Sequence, residues 1–171
     1  IMNGVDLWGE EIFSYACYII YTDKEGVVDE GVSADGKITW TFDRQHNSLR
    51  ILGEGAIDKA VFTKAPYDVY KNEIKSIYIG EGITSIVDGA FEGFSALCEV
   101  EIKEGVTVIG SNAFKGTSVS TLVLPSTLTE VGEGAFGGIE KINDIVYGGT
   151  EEKWTIIKIG ENNPALMGEI S

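Results

Sequence analysis

Hydrophobic and polar positions recur with a fixed period through the second half of the chain. Phe91, Phe114 and Phe136 each follow an alanine and stand two residues before a glycine, in "GAFEGF", "NAFKGT" and "GAFGGI". Aligned on these phenylalanines, residues 74–96, 97–118 and 119–141 form three units of 22 or 23 residues. A fourth opens at Ile142 with "INDIVYGGT" and then departs from the pattern. Every unit begins with two apolar residues two positions apart: Ile77/Ile79, Val100/Ile102, Leu122/Leu124 and Ile145/Tyr147. Alternate side chains of a strand share a face, so each pair predicts a short strand with one apolar side. A second apolar pair follows in the first three units, Ile83/Ile86, Val106/Ile109 and Leu128/Val131. Then come the Ala-Phe pair and a glycine that closes a turn (Gly93, Gly116, Gly138).

One such unit cannot cover its own apolar residues. A fully buried large apolar side chain contributes about 1.5–3 kcal/mol, but only when a neighbour excludes water from it. Stacking similar units turns each position into a continuous ladder, which is how solenoids are stabilised. The expectation is therefore a solenoid in which Ala-Phe-x-Gly is the corner of each coil. The repeated phenylalanines are read as core rather than as a ligand-binding stripe.

Both ends of such a stack need cover. Upstream, "KITWTF" and "LRILGEG" alternate apolar with polar residues around the polar turn "DRQHNS", which predicts a β-hairpin capping the first coil. Residues 66–73 read as the connection into the repeats. Downstream, "GGTEEKWTII" predicts a short helix with Thr150 as N-cap and Glu151 and Glu152 at the positive end of its dipole. Trp154 and Ile157 would then cover the last coil, and "ENNPALMGEIS" reads as a turn and a tail. In the first thirty residues, "SYACYIIYT" favours a strand by its composition and "VDLWGEEIF" fits a helix, with neither assigned.

Composition and charge exclude several functions. The formal net charge is −14, with 7 Lys/Arg against 13 Asp/Glu in residues 1–73 and 6 against 14 in residues 74–171. Acidity in both halves repels phosphate, so no nucleic-acid partner is expected, and it argues against docking on anionic membranes. No apolar run is long enough for membrane insertion, and the acidic start "IMNGVDLWGEE" is not read as a signal peptide. Cys17 and Cys98 form no metal-binding spacing, and either two free thiols or one disulfide fits them.

Catalytic chemistry is not legible. The single histidine, His46, lies in the polar hairpin turn, away from the nucleophile that a triad requires. Adjacent carboxylates such as Glu10/Glu11 and Glu151/Glu152 are not the facing pair of a glycosidase. The acidic "DKEGVVDEG" leaves room for a weak surface calcium site, although its glycines are misplaced for an EF-hand loop. The reading is of a non-enzyme with no catalytic residues, no cofactor and no assigned metal site.

Three features in order resemble the BspA-type leucine-rich-repeat family of bacterial surface proteins, over roughly residues 31–168. They are the repeat, the leading "DGKITWTFDRQHNSLRILGEGAI" and the closing "VYGGTEEKWTIIKIGENNPAL". The resemblance implies a β-rich (α/β class) right-handed leucine-rich-repeat solenoid. It would have about four coils in residues 74–149, an N-terminal hairpin cap and connection in 31–73 and a helical cap in 150–171, after a segment 1–30 of unclear structure. It also implies a secreted or cell-surface location and adhesion through a protein ligand, a host matrix or neighbouring-cell protein. The alternative is a structural or spacer module of a larger surface protein, with no ligand of its own.

The alternation itself proposes a binding face. If Ile77 and Ile79 point inward, Ser76 and Tyr78 point outward, and the equivalent positions are Glu99 and Glu101, Thr121 and Val123, and Asp144 and Val146. Four strands about 4.8 Å apart make a patch on the order of 300 Å², well below the ~800 Å² per partner of a standard interface. Glu99 beside Glu101 is expected to favour a basic ligand.

Overall fold

Each repeat folds into two short strands and one tight corner. The computed structural model describes residues 27–33, 35–57 and 70–167, and the backbone of short strand segments within residues 4–22. Those segments are β1 (Gly4–Val5), β2 (Glu11–Ile12), β3 (Ser14–Tyr15) and β4 (Tyr18–Thr22). Strands β5 (Val27–Val32), β6 (Ile38–Asp43), β7 (Ser48–Gly53) and β8 (Gly55–Ile57) follow. The repeats supply β9 (Ser76–Ile79) and β10 (Ile83–Ile86), β11 (Glu99–Ile102) and β12 (Val108–Ile109), then β13 (Thr121–Leu124) and β14 (Glu130–Val131). Last come β15 (Asp144–Tyr147), helix α1 (Glu151–Thr155), β16 (Lys158–Ile159) and a 3-10 turn at Pro164–Leu166.

The strands form two ladders. In the long sheet the order is β15-β13-β11-β9-β7-β6-β5-β4-β3, parallel from β15 to β7 and antiparallel beyond. The short sheet is parallel throughout, in the order β16-β14-β12-β10-β8. Among the described residues β1 pairs with β2 in a separate two-stranded sheet.

The register stacks like on like. Leu49, Ile77, Val100, Leu122 and Ile145 form one buried column and Ile51, Ile79, Ile102, Leu124 and Tyr147 another. Ile57, Ile86, Ile109 and Val131 do the same in the short sheet. At the corners Phe91, Phe114 and Phe136 stack with ring centroids 5.2 Å apart and planes within 17° and 11° of parallel. All three are fully buried. The backbone N–H of Phe136 donates to Asn163 Oδ1.

The expected hairpin forms, with β6 and β7 antiparallel around the turn at 44–47. It is more than a cap, however. β7 pairs in parallel with β9, from Ser48 with Ser76 to Ile51 with Ile79, and β8 enters the short sheet. The second half of the hairpin is thus a rung, because Leu49, Ile51 and Ile57 continue the apolar columns. At the other end, β16 continues the fourth unit past its departure from the pattern. α1 has Thr150 at its N-cap, accepting from Lys153 N, and Trp154 packs edge-on against Tyr147.

The acidic "DKEGVVDEG" is not an open calcium loop where it is described. Val27–Val32 is strand, and Asp29 is fully buried. Its Oδ2 accepts from Arg44 Nε at 2.8 Å and Nη2 at 2.6 Å. Arg44 also stacks on Tyr70, which lies against Phe42. Residues 23–26 of that segment, Cys17 and residues 66–69 of the expected connection lie outside the described residues.

Candidate binding face

The outer side of the long sheet gathers the eight residues expected there. Parallel register sets Ser76, Glu99, Thr121 and Asp144 in one row and Tyr78, Glu101, Val123 and Val146 in the next. Their inward neighbours are buried while these side chains are half-buried or exposed. Glu99, Asp144 and Val146 are the most open of them.

Two further residues join the rows. Ser48 lies in register with Ser76, and Arg50 with Tyr78. Their signal was present, since "SLRILGEG" parallels "SIYIGEG". One extra residue, Leu52, stands before the turn and puts the two segments out of step. The fold accommodates Leu52 by leaving it partly exposed beside Gly80. A shallow depression of about 330 Å³ lies on this part of the face, lined by Ser48, Arg50, Tyr78, Glu99, Glu101 and Val123 among others. Asp144 and Val146 lie outside it.

Charge on the face is mixed rather than acidic. The Arg50 guanidinium lies 4.9 Å from the centroid of the Tyr78 ring, and Lys103 Nζ lies 5.7 Å from it. Lys103 in turn pairs with Glu101 at 2.5 Å. That hydrogen bond raises the lysine pKa above its ordinary value. Glu101 is therefore largely neutralised, and Glu99 and Asp144 hold the unpaired negative charge. Beside the Glu99 and Glu101 expected to favour a basic ligand, Lys103, four positions from Glu99 in chain order, and Arg50 on the neighbouring strand occupy the same surface.

A larger cavity, about 700 Å³, opens at the corners of the last coils. Gly137, which lines it, stands where the earlier corners carry Glu92 and Lys115. Lys115, Glu133 and Glu140 line it with backbone and amide groups, without a nucleophile and base in hydrogen-bonding contact. His46 is exposed, and its Nδ1 lies 2.6 Å from Asp43 Oδ2 within its own turn. Among the described residues no three His, Cys, Asp or Glu side chains are grouped to hold a metal ion, and no helix is long and apolar enough to cross a membrane.

Comparison with known proteins agrees with the ladder. The model of the BspA type leucine rich repeat region, in six copies, matches residues 65–162. A crystal structure of a leucine-rich repeat protein from Eubacterium ventriosum is similar over 68% of this chain, at 18% identity and a TM-score of 0.44. This chain spans 43% of that one, less than half of its length. No curated protein matches the chain.

Proposed function

The chain belongs to the BspA-type leucine-rich-repeat family, and we propose that it is a non-catalytic protein-interaction module that binds through the outer face of its long sheet. In this reading it is a secreted or cell-surface adhesion module whose ligand is a host matrix or neighbouring-cell protein. Its solenoid is right-handed, and the hairpin segment and α1 close its two ends.

One observation carries the reading. The inner columns and the corner phenylalanines are committed to the core, whereas the outer rows are held in register by backbone ladders and leave polar side chains open. A rigid sheet that presents side chains without ordering them first loses little entropy on binding. The face is also wider than four strands. β5 to β7 extend it to seven strands, which at about 4.8 Å apart span ~29 Å, on the order of 400 Å². That still falls short of a standard interface, so single copies are expected to bind weakly and clustered copies well.

The test is binding of the purified chain, as monomer and as a clustered array, to a panel of immobilised matrix proteins across a salt series. Saturable binding by the array that is lost in Glu99→Lys/Glu101→Lys is the expected result. Absence of binding even by the array would leave the chain a spacer within a larger surface protein.

A further inference from the structure

Resting on the reading of this sheet as a binding surface, we propose that its depression takes a polypeptide segment carrying one carboxylate and one cation about 12 Å apart, the carboxylate on Arg50 and the cation on Glu99.

Arg50 is exposed and has no carboxylate partner among the described residues. Stacking on Tyr78 holds its guanidinium in place while leaving the N–H edges free. A planar guanidinium held that way is arranged for bidentate hydrogen bonds to a carboxylate, and little side-chain entropy remains to be lost. Ser48 and Ser76 lie beside it and add hydroxyl donors. A phosphate fits less well, because its second negative charge would meet Glu99 within the same depression.

Glu99 supplies the other pole. It is exposed and has no cation partner among the described residues, since Lys103 is engaged by Glu101. Arg50 is in register with Tyr78 and, across it, Glu101, whereas Glu99 is in register with Ser76, so Arg50 and Glu99 are two strand spacings and two residues along the strand apart, about 12 Å. Four residues of an extended chain cover about 13 Å, and residues four apart share a face. A sugar fits less well, because Arg50 and Lys103 both lie against the Tyr78 ring on which a pyranose would stack. The occupant is a peptide of mixed charge.

The experiment uses short synthetic peptides of serine and alanine carrying one Glu and one Lys four residues apart. Controls carry Glu alone, Lys alone, two Lys or two Glu, and binding to the full chain is read by fluorescence anisotropy at low salt. The mixed peptide is expected to bind up to about fivefold tighter than either singly charged one, the contribution of the second exposed ion pair. Arg50→Glu should move the preference to the two-Lys peptide and Glu99→Lys to the two-Glu peptide, gains that unfolding cannot produce. Arg50→Lys, which keeps the charge but not the fork, should retain only part of the discrimination. Equal binding of all peptides, or a preference indifferent to Arg50→Glu, overturns the proposal. A matrix protein whose binding is lost in Glu99→Lys/Glu101→Lys but untouched by Arg50→Glu would overturn it too, and leave the sheet face standing as the binding surface.

Discussion

The phenylalanine of each corner shows how much one side chain does here. Phe114 lies between Phe91 and Phe136, each ring 5.2 Å away, and is fully buried. Phe114→Ala removes the middle of that stack and leaves a cavity that rigid coils above and below cannot close. A loss of about 3–5 kcal/mol is expected, a large part of the stability of a domain this size, read as a lowered midpoint in thermal or urea unfolding. A mild effect would show that the corners are not core. Phe114 was legible because an apolar residue in the same register of every unit has a structural cause that needs no knowledge of the fold. Arg50 was not, because its meaning depends on Tyr78, twenty-eight positions later in the chain and adjacent only across the sheet.

At the scale of elements, the question is what ends a stack that could continue indefinitely. Phe91 N donates to Ala113 O and Phe114 N to Ala135 O, each corner hydrogen-bonded to the next at 2.7 Å. Phe136 has no following corner of that kind. Its N–H donates instead to the Asn163 side-chain Oδ1 at 2.9 Å, while Asn163 Nδ2 donates to Gly132 O and Gly160 O. A buried side-chain amide thus replaces the backbone of a missing coil. The left-handed residue that starts each corner is kept as well, as Gly89, Asn112, Gly134 and Asn162, all with positive φ. Glycine and asparagine are the residues that adopt that conformation at least cost. Asn163→Ala leaves the buried Phe136 N–H without its acceptor and removes the donor to Gly132 O and Gly160 O, and about 1–3 kcal/mol is expected to be lost. Hydrogen exchange checks the cause: the Phe136 amide should exchange faster while that of Phe91 is affected less. In the sequence "ENNPAL" read only as a turn, because nothing local marks one asparagine of the pair as the acceptor for a distant N–H.

For the whole molecule, the balance of charge sets its response to acid. Glu104 bridges two coils, with Oε1 accepting from Ser126 N at 2.8 Å and Oε2 from the Ser126 hydroxyl. The backbone N–H of Ser126 chiefly, and then its hydroxyl, hold the Glu104 pKa below the ordinary 4.5. A depressed carboxylate pKa stabilises the fold above the unfolded value and ceases to do so as pH falls through the folded value. The stability gap between the natural chain and Glu104→Gln should therefore be full at neutral pH and close below about pH 4.5. Thermal melts of both across that range test it, and a gap that persists unchanged at low pH would refute the role of the bridge. Comparing the pair also removes the effect common to both, the easing of repulsion as a chain of net charge −14 is neutralised.

The sequence by itself determined the repeat, its inner columns, the corners and which residues of each strand face outward. These follow from local periodicity, and burying one apolar side chain per register is a constraint that every coil repeats. Only the tertiary structure decided where the stack begins and ends, since β7 joins through pairing with β9 and Asn163 closes the ladder from far along the chain. It also decided the charge of the outer face, where Lys103 neutralises Glu101 and Arg50 stands over Tyr78. Those interactions join different coils, so their energies depend on distances across the sheet that no local pattern encodes.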